Sequence, residues 1–142
     1  MKNKLVIFAL LAGSITLTNC SPSSEKRVEK AANEIVRDIK QEKEETAKDL
    51  RTLRDDINAK LDKISKKLED ANATSKTELE SVKQILIDHR TKVETAIEQI
   101  DQSADSTWDN AQQAAKNTYS EVKLGCEQIG ERFDNAVKNS DK

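Results

Sequence analysis

Cys20 is the residue whose type and position most directly suggest chemistry. It follows a short basic start, residues 1–4, and an unbroken apolar run, residues 5–11. A basic start, a short apolar stretch and a processing site together form a secretory signal, and this apolar run is too short to span a bilayer comfortably. A thiol is a soft nucleophile that can be alkylated under mild conditions. The sequence therefore predicts export, with Cys20 as a site of covalent modification.

The segment Leu17-Thr18-Asn19-Cys20 resembles the lipobox of bacterial lipoproteins, although Asn19 stands where Gly, Ala or Ser is usual. The resemblance implies that residues 1–19 are a signal peptide and are removed, that Cys20 carries a diacylglyceryl thioether, and that its freed amine is acylated. Two or three acyl chains anchor a protein where one is marginal. The implied location is the bacterial cell envelope, on the inner or outer membrane, facing the periplasm or the surface. An ordinary signal peptide with an incidental cysteine, or an uncleaved anchor, stays open.

The composition favours long charged helices. Charged residues make up 35% of the chain and aromatic residues 3%, with three glycines and one proline. These values exclude a β-sandwich and a compact aromatic core. The formal net charge of −2 becomes −4 when Lys2 and Lys4 are removed with the signal. Because acidic and basic residues are evenly mixed, the charge pattern does not indicate nucleic acid or anionic lipid headgroups as partners.

A first amphipathic helix is predicted for residues 25–71, after a polar tether at residues 20–24. Its apolar side chains recur every three or four positions from Val28 to Leu68, with a mean spacing of about 3.6 residues, the period of an α-helix. Residues 40–49 interrupt this stripe with charge. We expect that stretch to be a solvated part of the helix and the least well packed.

A second amphipathic helix is predicted for residues 75–138. Residues 71–75 form the turn before it, and Ser75 with Glu78 has the form of a capping box. Its apolar stripe keeps one phase from Leu79 to Ala136. Residues 101–107 are polar and rich in capping residues, so the helix is either bent or broken near 102–106. Residues 139–142 are predicted to be a disordered tail.

The fold class predicted from these two stripes is all-α. A turn near residue 73 lets the stripes cover each other. The expected product, after a cleaved signal peptide, is an elongated antiparallel helical hairpin or a three-helix bundle of coiled-coil type. A parallel homodimer or trimer stays open as well, because the mixture of Ile, Leu and Val in the stripes does not fix the oligomeric state.

The aromatic residues after the signal lie on one face of the second helix: Trp108, Tyr119 and Phe133. Core packing is the simpler interpretation, and contact with lipid or a partner protein is the functional one. The sequence around Trp108, WDNA, recurs around Phe133 as FDNA. This segment resembles the tryptophan- and alanine-containing repeats of bacterial coiled-coil stress-response proteins and apolipoprotein-like helices. The resemblance implies an association with the envelope or with stress.

Two further residues could do chemistry, His89 and Cys126. His89 is the only histidine, and one histidine without a cluster of ligands cannot form a defined metal site. We expect it at the edge of the stripe. With Cys20 acylated, Cys126 is the remaining thiol, and it is either a buried small hydrophobic side chain or one half of an interchain disulfide. No catalytic, metal or cofactor site is predicted.

The function expected from the sequence is that of a membrane-anchored envelope lipoprotein, a non-enzymatic helical spacer, scaffold or interaction protein. Its expected partners are the membrane, through the lipid on Cys20, and either a second copy or another envelope protein. Neither nucleic acid nor a small-molecule substrate is expected. The alternative is an amphipathic lipid-binding or stress-response helical protein.

Overall fold

The computed structural model describes residues 22–140, and the side chains of residues 26–138. The predicted signal peptide, Cys20 and the last two residues lie outside this part of the chain. The described part consists of three α-helices and one short 3-10 helix, with no strand: α1 (Pro22–Asp70), α2 (Ala73–Gln102), the 3-10 turn (Asp105–Thr107) and α3 (Trp108–Ser140). The predicted all-α class is confirmed.

The ends of the helices differ from the predicted bounds by a few residues. Helix α1 begins at Pro22, within the predicted tether of residues 20–24. Proline is favourable at the first helical position because its missing N–H would have no intrahelical acceptor there, and its φ is already helical. Helix α3 ends at Ser140, so residues 139 and 140 of the predicted tail are helical.

The N-cap of α2 is Asn72 and not the predicted Ser75. Asn72 has an extended backbone, and its side-chain oxygen accepts a hydrogen bond from the Ser75 N–H at 3.0 Å. Asparagine is at least as good a cap as serine, because its carbonyl oxygen reaches the same orphan N–H groups. Ser75 is thereby drawn inside the first turn, where it is only 1% exposed.

The chain breaks between α2 and α3, in the region where the sequence predicted a bend or a break. Ser103 ends α2 with an extended backbone, and its N–H and hydroxyl both donate to the Ile100 carbonyl, at 3.2 and 2.7 Å. Ala104 is extended too, and the Thr107 N–H donates to its carbonyl at 3.0 Å. Polar side chains that bond their own backbone compete with helix continuation, so the polar run produces two helices. We call residues 103–107 the connection.

Contacts between residues divide the chain into two units, residues 1–33 and 34–142. In the first unit, the described residues are the beginning of α1, and the side chains of residues 26–33 are exposed. The second unit is a three-helix bundle. Arg51 of α1 lies 3.8 Å from Asp101 of α2, and Lys92 of α2 pairs with Glu121 of α3. Helix α2 therefore runs antiparallel to both of its neighbours.

One apolar core lies between the three helices of the second unit. Each helix contributes buried side chains at spacings of three and four residues, so that each apolar stripe faces the other two. The largest of the fully buried apolar side chains are Leu50, Ile57 and Ile64 of α1, Leu79, Val82, Leu86, Val93 and Ile100 of α2, and Trp108 and Val122 of α3. Among residues 26–138, all buried apolar side chains lie between positions 47 and 136, so a chain without residues 1–20 keeps every one of them.

Candidate functional site

The most extensive polar arrangement among the described residues joins α1 to the connection. Lys43 of α1 donates to the Ser103 carbonyl at 2.8 Å and to the Asp105 carboxylate at 2.9 Å. Its ammonium group also lies 5.9 Å from the centroid of the Trp108 ring, within the range of a cation–π contact. We call this group, completed by Glu42, the helix joint. It holds the first turn of α3 and the last turn of α2 against α1.

Trp108 opens α3 and is almost completely buried, with 2% of its surface exposed. Its indole N–H donates to a carboxylate oxygen of Glu42 at 3.0 Å, and the Gln112 amide donates to the same oxygen at 3.2 Å. A buried indole N–H normally requires an acceptor, because leaving it unpaired costs free energy. Glu42 supplies that acceptor from the neighbouring helix and sets the position at which α3 begins.

The charged interruption of the first stripe is thus the place where α1 meets the connection. Most of residues 40–49 are exposed, as expected, but Lys43 is half-buried and Ala47 is buried. Sequence reasoning missed Glu42 and Lys43 as partners of the break. A signal was present in the sequence: the apolar stripe of α1 has one charged interruption, residues 40–49, and the second stripe has one polar break, residues 103–107. Backbone groups that are no longer hydrogen-bonded within a helix need other polar partners, and the charged interruption supplies them.

The three aromatic residues differ in exposure. Trp108 lies inside the bundle and can contact lipid or a partner only if the helices separate. Tyr119 and Phe133 are half-buried and pack against the edge of the core. Phe133 lines a shallow groove between α1 and α3, with Lys60 and Gly130 beside it. Part of each of these two rings therefore stays at the surface.

His89 lies over Gly125, where α2 and α3 approach each other. A Cβ placed on Gly125 would stand 2.4 Å from His89 Nε2, a distance that real Cβ atoms do not show. Burial is the largest cause of the lowered pKa of His89, and the nearby Lys92 lowers it further, against opposing effects of Glu121 and Asp88. The imidazole thus takes the space that a side chain on α3 would fill.

Cys126 follows directly on α3 and points into the core, with 5% of its surface exposed. Burial is the largest cause of the raised pKa of its thiol; the nearby Lys60 lowers that pKa by less, and Asp56 raises it further. A disulfide from Cys126 to a second chain, one of the two sequence interpretations, would require the helices to separate first. The predicted lipidation site, Cys20, lies outside the described residues.

The beginning of α1 carries apolar side chains that are largely exposed. Val28 is 70% exposed, Ile35 60% and Val36 51%, although they continue the stripe that is buried further along the helix. Ala32 between them is exposed, and Ile39 is half-buried where the core begins. We call Val28, Ala32, Ile35, Val36 and Ile39 the open stripe. Periodicity predicts that these residues share a face, but not that this part of it lacks a covering helix.

Within residues 22–140, no three His, Cys, Asp or Glu side chains are grouped so as to hold a metal ion. In the same residues, no helix contains an apolar stretch sufficient to cross a membrane.

Comparisons of the chain with protein-family models, curated proteins and solved structures find no match.

Proposed function

We propose that this chain is a membrane-anchored, non-enzymatic helical lipoprotein of the bacterial envelope that acts as a scaffold through protein contacts. The observation that carries the proposal is Cys20, placed at the end of a signal-like segment and preceded by Leu17-Thr18-Asn19. An acylated Cys20 would hold the mature chain at a bilayer by its first residue.

The position of α1 relative to Cys20 supports this proposal. Helix α1 begins at Pro22, two residues after the anchor. A helix that starts so close to a lipidated residue is attached to the membrane by a very short link. The open stripe lies in the first turns after this link, where a partner at the membrane surface would meet it.

The reactive side chains of the bundle support a structural role for it. His89 packs over Gly125, and Cys126 is buried with a raised thiol pKa. Trp108 is enclosed and bonded to Glu42, so its ring is not displayed to lipid. The enclosure of Trp108 favours a scaffold over the alternative of an amphipathic lipid-binding protein, which would present its indole ring at the bilayer surface.

Mass spectrometry of the protein purified from membranes tests the anchor. We expect a mature N-terminus at Cys20 and the added mass of two or three acyl chains. The matched control is Cys20→Ser, which removes the thiol and keeps the length and polarity of the segment. This variant is expected to retain residues 1–19 and to carry no lipid.

Two results would contradict the proposed anchor. One is wild-type protein that starts at Met1 and carries no lipid, which would indicate an uncleaved apolar anchor. The other is cleavage near residue 20 with an unmodified thiol, which would indicate an ordinary secreted protein.

A further inference from the structure

We propose that the open stripe of α1 binds the open stripe of a second copy of this chain, with the two helices antiparallel. The inference rests on the scaffold function proposed above and names its partner. It does not depend on the lipid, so it is tested on a chain that begins at Ser21. That chain keeps every buried apolar residue of the part that the structure describes, between positions 47 and 136.

The spacing of the open stripe fits helix-to-helix packing. Val28, Ala32, Ile35 and Ile39 follow each other at steps of four, three and four residues, the pattern of a coiled-coil seam. In an antiparallel pair centred between positions 33 and 34, Val28 of each copy faces Ile39 of the other. Ala32 of each copy then faces Ile35 of the other. The small Ala32 thus meets the larger Ile35 on both sides of the centre of the seam.

The charges beside the stripe are complementary in this arrangement. At about 100° of rotation per residue, Glu29 and Lys40 lie along one edge of the stripe. Arg27 and Asp38 lie along the other edge. All four side chains are exposed. Because like edges face each other in an antiparallel pair, Glu29 of one copy meets Lys40 of the other, and Arg27 meets Asp38.

Packing in the seam favours the antiparallel orientation. In a parallel pair, Ala32 of each copy would face Ala32 of the other, and the seam would be poorly filled at that level. In an antiparallel pair, Ala32 of each copy faces the larger Ile35 of the other.

The distribution of charge argues for a protein partner and against a bilayer as the cover of this stripe. Lys26, Lys30 and Arg37 lie on the opposite face of α1, at about 180° from the stripe. The two edges of the stripe carry mixed charges, Glu29 and Lys40 on one and Arg27 and Asp38 on the other. An anionic membrane surface would favour basic residues along both edges, whereas a protein partner can match both signs.

The open stripe is about three helical turns long, so the predicted dimer is weak and concentration-dependent. Sedimentation equilibrium of the Ser21-start chain from about 5 to about 500 µM should show a monomer that passes into a dimer. Ile35→Glu should weaken the dimer at least tenfold while leaving the thermal midpoint unchanged, because Ile35 lies outside the core.

Leu124→Glu is the matched control. Leu124 is an aliphatic residue on α3 with the same 60% exposure as Ile35, and the substitution adds the same charge. The Leu124→Glu chain should dimerise as the wild type does. A monomer throughout the concentration range, or equal losses from the two substitutions, would overturn the proposal. Vesicle binding by a chain that stays monomeric would also overturn it, and would identify lipid as the cover of the stripe.

A charge exchange tests the orientation. Glu29→Lys should weaken the dimer about fivefold, since it places like charges opposite each other at two symmetric positions. Adding Lys40→Glu should restore the wild-type affinity in an antiparallel pair. In a parallel pair, position 29 of one copy would face Arg27 of the other, and position 40 would face Asp38. The same double substitution would then place like charges opposite each other at both levels and weaken the dimer further. That second result would overturn the antiparallel arrangement.

Discussion

The imidazole of His89 occupies the space in which a side chain at Gly125 would stand. The two residues lie 36 positions apart, on α2 and α3, and a Cβ at position 125 would be 2.4 Å from Nε2 and 2.8 Å from Cε1 of the ring. Glycine in a helix interior costs up to about 1 kcal/mol relative to alanine. At position 125, the absence of a side chain is what allows α2 and α3 to pack closely, and the lower helix propensity of glycine is the cost of that packing.

Gly125→Ala should therefore lower the free energy of unfolding, by about 1–2 kcal/mol, because the overpacked ring must move and this outweighs the gain in helix propensity. Gly130→Ala is the control, since a Cβ at that position has no neighbour within 4 Å. It should raise the free energy of unfolding by up to about 1 kcal/mol. Urea denaturation measures both. If His89→Ala does not relieve the Gly125→Ala loss, the ring is not its cause.

The stability of the bundle should fall as the pH drops below about 6.5, the ordinary pKa of histidine. The pKa of His89 is lowered in the folded chain, chiefly by burial, so the unfolded chain binds the proton more readily. The neutral His89 therefore makes its full contribution to the free energy of unfolding above about pH 6.5. This contribution is lost as the pH falls from there through the lower pKa of the folded chain. Urea midpoints between pH 7.5 and 5 should show this slope in the wild type and not in His89→Gln. The pKa of Glu121 is lowered by its hydrogen bond to Lys92, so that carboxylate titrates below this window.

Ser75→Ala should stabilise the protein by about 1 kcal/mol. The Ser75 hydroxyl is buried and has no hydrogen-bond partner among the described residues. Folding removes its hydrogen bonds to water without replacing them, so removal of the hydroxyl should stabilise the folded state. Ser81→Ala, at an exposed position of the same helix, reports the change in helix propensity alone. Thermal midpoints of the two variants separate the effects. Equal midpoints would mean that the buried hydroxyl carries no cost.

Glu42→Ala should destabilise the bundle by about 1–2 kcal/mol, because the buried Trp108 N–H loses its acceptor. Glu44→Ala removes the same charge from an exposed neighbour and should change the free energy of unfolding by less than about 0.5 kcal/mol. In a double-mutant cycle with Trp108→Phe, the Glu42→Ala loss should become smaller. An unchanged loss in that background would show that the two side chains are not coupled.

Cys126 should react slowly with thiol reagents in the native bundle. Its thiol is buried and its pKa is raised, so both access and thiolate formation are disfavoured. In the Ser21-start chain it is the only thiol, and absorbance on reaction with an aromatic disulfide follows it directly. The rate should rise to that of a free cysteine in denaturant. Rapid reaction without denaturant would show that α3 opens readily and would favour the interchain disulfide.

Residue spacing alone predicts the helices, because an apolar stripe repeats with the period of the structure that buries it. The same reasoning locates the break between α2 and α3, since Ser103 and Asp105 offer local bonds that compete with a helix. The N-cap was assigned wrongly to Ser75 because Asn72 and Ser75 both satisfy the local rule. Only the packed structure shows which of them lies in the core.

Contacts between distant residues could not be predicted in this way. Glu42 and Trp108 lie 66 positions apart, and His89 meets Gly125 across two helices. Spacing assigns a residue to a face but does not say which side chain it will meet there. For the same reason Val28 and Leu50 look alike in the sequence, although the first is 70% exposed and the second 1%.

Trp108 is the only tryptophan in the chain, and it lies between α1 and the connection with Lys43 and Glu42 beside it. Any event that pulls the start of α3 away from α1 moves this indole from an apolar enclosure into water. Its intrinsic fluorescence therefore serves as an optical reporter of one local opening, without an added label. A ligand, a membrane or a second copy that leaves the emission maximum unchanged has bound without opening the helix joint.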